Sequence, residues 1–425
     1  MKIEQLHQLF LQCNKVSTDT RKIENNSLFF ALKGENFNGN TFAKQAIENG
    51  AKYVVIDEEA YAIEGKTLLV DNVLKTLQKL ASYHRDYLKV KIISLTGSNG
   101  KTTTKELINA TLSQKFKTVA TIGNLNNHIG VPLTLLSMDK STEIGIVEMG
   151  ANHLKEIEFL CNIAKPDYGY ITNFGKAHLE GFGSIEGVIQ GKTELYQFLK
   201  ENNKHIFFNA DDFIQEEKLQ GYKLKFGFTQ TKEDYYKIEL EEANPFVVCK
   251  VENTTITSNL IGAYNFMNLS AAISIASYFK VDLKAIKKGI ENYTPNNNRS
   301  QIITVGSNKV VLDAYNANPT SMQAALNNFS KLKSTNKIVI LGDMFELGSE
   351  AEAEHQNIAG LSLKLGFDKI YLVGENFYKT ELLSDRIEKH PSFAAFKENF
   401  KKPENANLLI KGSRGMALER TLELL

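Results

Sequence analysis

The stretch TGSNGKT at residues 96–102 constrains the fold of this 425-residue chain more than any other segment. It follows KIISL, a short apolar run typical of a buried strand, and precedes TTTKELINATLSQ, which predicts a helix. A glycine-rich turn in this setting indicates a phosphate-binding loop, because glycines let backbone N–H groups converge on an anion and the helix N-terminus adds partial positive charge. The spacing is shorter than the common G-x-x-x-x-G-K-[ST], since only Ser98 and Asn99 separate Gly97 from Gly100.

A nucleotide on this loop needs a cation for its phosphates and a ligand for its metal ion. Lys101 can reach the β- and γ-phosphates, and the hydroxyl of Thr102 is placed to ligate Mg²⁺. Glu148 ends the apolar strand EIGIVE, where the metal-holding acid of such a protein belongs. A simpler interpretation is that Lys101 is a surface lysine beside a glycine turn and that Glu148 is a solvated carboxylate at a strand end. The strand–turn–helix context favours a nucleotide site instead. The predicted ATP-binding loop is Gly97, Ser98, Asn99, Gly100, Lys101, Thr102 and Thr103.

Short apolar runs alternate with helical patterns along most of the chain, which predicts an α/β fold. The first unit begins with two predicted strands, SLFFAL and AKYVVID. A second, doubly wound unit is predicted by the strands KIISLTG, EIGIVEMG, YGYITNF and HIFFNA. A third, Rossmann-like unit is predicted by KVVLDAYNA, KIVILGDM, KIYLVG and NLLIKGS. Residues from about 222 to 260 alternate polar and apolar, which predicts an antiparallel edge. YTPNNNRSQ at residues 293–301 is the expected linker. We therefore expect three domains, at residues 1–85, 86–297 and 298–425.

Composition and charge exclude several kinds of partner. The formal net charge of +1 gives no reason to expect a nucleic acid or an anionic membrane surface. The three cysteines are far apart and form no C-x-x-C pair, so reduced thiols in the cytoplasm are expected. The N-terminal residues MKIEQLHQLFLQ lack the apolar core of a signal peptide, and no apolar run approaches the ~18 residues of a membrane helix. A cytoplasmic monomer is the default expectation.

Seven motifs follow one another in the order of a known family: GSNGKTTTKE, GNLNNHIGVPLTLL, VEMGANHLKEI, ITNFGKAHLEGFGS, DAYNANPTSM, LGDMFELG and KGSRGMALERTL. Together they resemble the Mur ligases. The resemblance implies a small α/β UDP-substrate domain, a central ATPase domain and a C-terminal Rossmann-like domain. It also implies a ligation in peptidoglycan precursor synthesis, in which ATP activates a carboxylate as an acyl phosphate and an amine then displaces phosphate. The DAYNANPTSM signature resembles members that join D-Ala-D-Ala to UDP-N-acetylmuramoyl-tripeptide.

The resemblance also implies roles for individual residues. Two Mg²⁺ ions would be held by Thr102, Glu148, His178 and Lys192, the lysine after CO₂ has converted it to a carbamate. A carbamate suits this position because a free ammonium would be repelled by the metal ions. Arg299 matches an arginine that moves onto the phosphates when the domains close. The implied catalytic set is Lys101, Glu148, His178, Lys192 and Arg299.

The remaining matches concern the nucleotide and the other substrates. Asn265 and Asn268 match adenine-side asparagines, Asp313 matches an acid that binds the ribose hydroxyls, and Asn316 adds a nucleotide contact. The expected substrate-binding residues, some of them strand-end guesses, are Ser17, Asp19, Arg21, Thr121, Asn124, Asn126, Asn127, Asn318, Asp343, Lys411 and Arg414. Glu346 is expected to face the same cleft. His128, His153 and His355 are given no catalytic role.

Three other functions stay open from the sequence alone. One is a sister ligase that adds the third amino acid, and another is a ligase resembling folylpolyglutamate synthase; the DAYNANPTSM signature counts against both. A P-loop ATPase that performs no ligation is the alternative from another class. The third residue of the tripeptide, diaminopimelate or lysine, is also open.

Overall fold

A computed structural model describes residues 1–296 and 298–425, and three sheets packed with helices follow one another along this part of the chain. The first sheet is parallel throughout, with the strand order Val16–Ser17, Ser27–Phe30, Ala51–Ile56 and Thr67–Leu69. Its helices are Ile3–Phe10, Ala43–Glu48 and Val73–Leu88, and a small hairpin pairs Lys33–Gly34 with Phe37–Asn38. The expected α/β class is confirmed.

The long helix Val73–Leu88 joins the first sheet to the second. It packs against Ile3–Phe10 on one side and against the central helices Gly130–Leu136 and Glu156–Ala164 on the other. The expected domain boundary after residue 85 falls inside this helix.

The second sheet has seven parallel strands and carries the glycine-rich turn near its middle. Its order is Tyr236–Lys237, Lys225–Thr229, His205–Asn209, Tyr168–Ile171, Lys91–Thr96, Ile144–Glu148 and Thr118–Ala120. Every residue of Ile144–Glu148 is buried, as is every residue of Lys91–Thr96 except Lys91, because helices cover both faces. The helices are Lys101–Leu112, Gly130–Leu136, Glu156–Ala164, Leu179–Phe182, Ile185–Glu201, Phe213–Lys218, Asn265–Tyr278 and Leu283–Asn292.

The segment 222–260 differs from its prediction as one antiparallel edge. Its first strands, Lys225–Thr229 and Tyr236–Lys237, continue the central sheet in parallel. Only Glu239–Ala243, Phe246–Val251 and Thr254–Ile261 are antiparallel, and they form a separate sheet. Contacts with the helices Asn265–Tyr278 and Leu283–Asn292 cover one face of that sheet, which explains the alternating pattern.

The third sheet has six strands in the order Gln301–Val305, Asn308–Asp313, Asn407–Lys411, Lys337–Gly342, Lys369–Val373 and Ile387–His390. All pairs are parallel except the first. Its helices are Pro319–Lys331, Ala351–Lys364, Glu375–Tyr378 and Phe393–Asn399. The predicted linker ends where Gln301 enters the antiparallel edge strand, and its residue Asn297 lies outside the described residues.

No helix in the described part of the chain is long and apolar enough to cross a membrane.

Candidate active site

The glycine-rich turn lies at the C-terminal edge of the second sheet, between the strand Lys91–Thr96 and the helix Lys101–Leu112. Its two glycines are required by space and by backbone conformation. A Cβ on Gly97 would lie 2.0 Å from Thr172 Oγ1, and one on Gly100 would lie 2.4 Å from Asn268 Oδ1. Gly100 has φ +78° and, as the N-cap, offers no side chain to the helix start. This end of the helix is therefore suited to bind an anion.

Lys101 turns back over the loop that precedes it. Its Nζ donates to the carbonyl oxygens of Gly97 at 2.5 Å and Ser98 at 3.3 Å. Burial lowers the pKa of Lys101 to about 8; the nearby Glu148 carboxylate opposes this shift, and the Arg299 guanidinium adds to it. Glu148 and Arg299 therefore both lie close enough to Lys101 to act on its charge, although Arg299 comes from the third domain.

Glu148 is buried at the end of its strand and is only partly hydrogen-bonded. Asn126 Nδ2 donates to its Oε1 at 2.8 Å, and the Glu148 N–H donates to Thr121 Oγ1 at 3.0 Å. The other carboxylate oxygen, Oε2, is buried and has no hydrogen-bond partner among the described residues. An unpartnered carboxylate oxygen beside the hydroxyl-bearing loop suits a hard cation such as Mg²⁺.

Lys192 is buried in the helix Ile185–Glu201, and the carboxylates of Glu156 and Glu194 only partly offset the effect of burial on its charge. Its Nζ donates to Ala151 O at 2.9 Å and lies 4.8 Å from the centre of the Phe182 ring. Burial, reinforced by the charge of Lys101, holds the pKa of Lys192 well below its usual value. A neutral amine is the form that adds to CO₂, so this environment suits a carbamate.

His178 faces the third domain across the cleft. It has φ +54°, and its Nδ1 is paired with Oε2 of Glu346. Among the described residues no three His, Cys, Asp or Glu side chains cluster as a metal site. A metal ion here would therefore rely on the Thr102 hydroxyl, a modified lysine and substrate oxygens as well.

The third domain contributes cations and an aromatic ring to the cleft. The Arg299 guanidinium lies over the Tyr315 ring, 3.8 Å from its centre, and its Nε is buried with no partner among the described residues. Asp313 accepts from Ser300 N–H at 3.1 Å and from Lys411 Nζ at 2.6 Å. Arg299 is thus held by stacking, which leaves its N–H groups for an anion.

Several hydrogen bonds and ion pairs dock the third domain on the second. Asn318 Nδ2 donates to Asn99 Oδ1 at 2.8 Å, and Lys176 Nζ pairs with Glu354 Oε1 at 2.6 Å. Another such contact joins His178 and Glu346. Asn318 is also the N-cap of the helix Pro319–Lys331, so one side chain fixes both the helix start and the loop.

These contacts enclose a cavity of about 760 Å³ between the second and third domains. Most of the predicted site residues line it: Ser98, Asn99, Gly100, Lys101, Thr102, Thr103, Asn124, Asn126, Asn127, Glu148, His178, Asn265, Asn268, Arg299, Asp313, Asn316, Asn318, Lys411 and Arg414. Arg414 donates to Glu419 at 2.8 Å, and Asn316 Oδ1 accepts from Ala317 N–H.

The two asparagines expected near adenine are largely occupied by the protein itself. Asn268 accepts from Thr104 Oγ1 at 3.0 Å and donates to Asn265 Oδ1 at 2.8 Å. Asn265 Nδ2 donates to Ile261 O at 2.8 Å. Their side chains fix the helix Asn265–Tyr278 against the glycine-rich turn.

Two residues expected to bind substrate have other positions. Thr121 is buried: its hydroxyl oxygen accepts from Glu148 N–H, and its carbonyl oxygen accepts from Lys105 Nζ. Thr121 therefore holds the backbone of Glu148 in place from the protein interior. The Asp343 carboxylate is buried and accepts the N–H groups of Asn376 and Phe377 at 2.9 Å each, at the start of a helix. Neither side chain lines the cavity.

The expected first-domain residues lie away from the cavity. Asp19 forms a two-point ion pair with Arg21 at 2.9 Å, and Ser17 Oγ donates to Asp19 O at 3.0 Å. Tyr315 and Asn173 are among the cavity residues that sequence reasoning left out, although DAYNANP and ITNFG contain them. Asn173 accepts the N–H groups of Ser98 and Asn99, which shapes the turn.

Comparison with known proteins accounts for this arrangement. Three family models match the chain in succession: the Mur ligase family catalytic domain at residues 12–85, the Mur ligase middle domain at 95–276 and the Mur ligase glutamate ligase domain at 298–414. A UDP-N-acetylmuramoyl-tripeptide–D-alanyl-D-alanine ligase from Bacillus subtilis (strain 168) is 36% identical, over 96% of this chain and 92% of that protein.

Solved structures agree with the sequence comparison. A crystal structure of MurF from Acinetobacter baumannii superposes with a TM-score of 0.85 at 28% identity, covering 100% of this chain and 98% of that one. A MurF ligase from Thermotoga maritima in complex with ADP gives 0.82 at 25% identity, covering 98% and 97%. The resemblance predicted from the motifs is confirmed: the chain belongs to the Mur ligase family.

Proposed function

We propose that this enzyme joins D-alanyl-D-alanine to UDP-N-acetylmuramoyl-tripeptide in the cytoplasm and converts ATP to ADP and phosphate in doing so. The observation that carries the proposal is the meeting of Lys101, Glu148 and Arg299 in one cavity between two domains. The relatives' printed activities supply the two substrates. Membership of a ligase family argues against an ATPase that performs no ligation.

The chemistry has two steps, and both concentrate negative charge. A carboxylate oxygen of the tripeptide attacks the γ-phosphorus of ATP, the bond from γ-phosphorus to the bridging oxygen breaks, and ADP leaves. The amine of the dipeptide then attacks the acyl carbon and loses one proton to solvent, the bond from the acyl carbon to the phosphate oxygen breaks, and an amide forms. Phosphate leaves with one oxygen from the carboxylate. Lys101 and Arg299 stabilise the charge that develops on the phosphoryl oxygens.

The metal-holding residues in this proposal are Thr102, Glu148, His178 and, as a carbamate, Lys192. The free Oε2 of Glu148 supports this assignment. Bound Mg²⁺ would neutralise charge on the phosphates. On the protein side, Asn126 fixes Glu148 Oε1, and the buried position of Lys192 keeps its amine neutral enough to take up CO₂.

The assay is phosphate release from Mg-ATP with both substrates, and with each omitted in turn. We expect release only when both are present, with a UDP-pentapeptide in the product pool. Release that is indifferent to the dipeptide would contradict the proposed amine. Two parallel tripeptides, ending in diaminopimelate or in lysine, decide the third residue in the same assay.

The carbamate has its own test. Lys192→Ala should abolish ligation because it removes a metal ligand, and a small carboxylic acid added to the assay should restore part of the rate. Lys200→Ala, in the same helix but partly exposed, is the matched control and should keep full activity. Full activity of Lys192→Ala without added acid would refute the carbamate.

A further inference from the structure

Glu346 reaches the second domain through two bonds. Its carboxylate pairs with Nδ1 of His178, and its carbonyl oxygen accepts from Glu180 N–H at 3.3 Å. It lies beyond the strand Lys337–Gly342 and has φ +61°, a left-handed conformation that a residue with a side chain rarely adopts. A strained backbone held from the neighbouring domain indicates a functional position.

The pairing determines which nitrogen of His178 carries hydrogen. A carboxylate oxygen of Glu346 is the acceptor in this pairing, and Nδ1 of His178 is the donor. The other ring nitrogen, Nε2, is then the one left for a ligand. Nε2 has no hydrogen-bond partner among the described residues, and His178 lines the cavity that holds Glu148 and Thr102.

We propose that Glu346 is a positioning residue for the metal site: it orients His178 so that Nε2 faces a divalent cation. Histidines that ligate metals usually donate their other ring N–H to a carboxylate or carbonyl, and losing that partner weakens metal affinity by about 10–100-fold. Here the carboxylate comes from the third domain, so the site is completed only when the two domains dock. The inference rests on the proposed role of His178 as a metal ligand.

The alternative is that Glu346 only helps to dock the third domain on the second and has no effect on the metal site. The chain offers a matched control, because Lys176 pairs with Glu354 across the same cleft at 2.6 Å without touching His178. Glu354→Ala removes a docking ion pair and leaves the carboxylate on the imidazole. Glu346→Ala removes both at once.

The test counts bound Mn²⁺ by electron paramagnetic resonance on the full chain with a non-hydrolysable ATP analogue and no other substrate. We expect Glu346→Ala to weaken one Mn²⁺ by about 10–100-fold. Glu346→Gln, which retains an acceptor oxygen, should restore part of that loss, and Glu354→Ala should bind Mn²⁺ within about twofold of the wild type. Unchanged Mn²⁺ affinity in both Glu346 variants, or an equal loss in Glu354→Ala, would overturn the inference.

One more variant separates this inference from the proposed function. If His178→Ala loses one Mn²⁺ while Glu346→Ala loses none, His178 is a ligand and only the role of Glu346 fails. If His178→Ala keeps every Mn²⁺, the proposed metal role of His178 fails, and the inference fails with it. Affinity for the ATP analogue, measured in the same samples, shows whether the nucleotide site is intact in each variant.

Discussion

Gly100→Ala should damage both the stability of the second domain and its affinity for nucleotide. The left-handed φ of +78° costs an alanine about 1–2 kcal/mol. The new methyl carbon would also lie 2.4 Å from Asn268 Oδ1, so the amide has to move. That movement breaks its bonds with Thr104 and Asn265, at about 0.5–1.5 kcal/mol each. The expected total is about 2–5 kcal/mol.

Gly221→Ala is the matched control, because Gly221 has φ +73° in the same domain and an added Cβ there would meet nothing within 4 Å. It should cost only the backbone contribution of about 1–2 kcal/mol. Urea denaturation followed by circular dichroism gives both values, and calorimetric titration with an ATP analogue gives the affinity. We expect Gly100→Ala to bind the analogue at least tenfold more weakly and Gly221→Ala to bind it normally. Equal unfolding midpoints and equal affinities in the two variants would contradict a steric requirement for glycine at position 100.

Two further predictions concern a helix cap at the contact between the second and third domains and a buried histidine of the first domain. Asn318→Ala should lower the free energy of unfolding of the third domain by about 1 kcal/mol because the helix cap is lost, and Tm measures this change. The same substitution should lower kcat about 2–10-fold because the bond to Asn99 is lost. An unchanged kcat in steady-state assays would contradict the docking role of Asn318. Burial, with a smaller contribution from His84, lowers the pKa of His7 to about 4, whereas an unfolded histidine titrates near 6.5. Between those pH values the unfolded chain binds more protons, so the free energy of unfolding should fall as the pH falls from 6.5 to about 4, by about 1–2 kcal/mol after allowance for solvent screening. His7→Phe should flatten that part of the stability profile, and a profile unchanged by the substitution would contradict the assignment.

Local pattern was enough to predict the strands that carry the chemistry. KIISL and EIGIVE are buried on both faces, so their apolar runs are continuous and their C-terminal ends are easy to find. The glycine-rich turn was also predictable from local pattern, because its strand, turn and helix adjoin in sequence. The strand Gln301–Val305 is missing from the predicted elements, and its first residue falls in the predicted linker, because its strand character depends on pairing with Asn308–Asp313.

Motif membership does not say which way a side chain points. Asp343 ends a strand beside the cleft, yet its carboxylate is used by the backbone of Asn376 and Phe377. Thr121 belongs to a matched motif but supports Glu148 from the interior. These positions depend on elements distant in sequence, which no local pattern records.

The most direct test of the account follows an oxygen atom. The tripeptide substrate is labelled with ¹⁸O in its reacting carboxylate and incubated with Mg-ATP and D-alanyl-D-alanine, and the released phosphate is analysed by mass spectrometry. Ligation through an acyl phosphate should place one ¹⁸O in each phosphate released, in step with formation of the UDP-pentapeptide. Phosphate free of ¹⁸O would mean that ATP is hydrolysed by water, and it would contradict ligation through an acyl phosphate in this cavity.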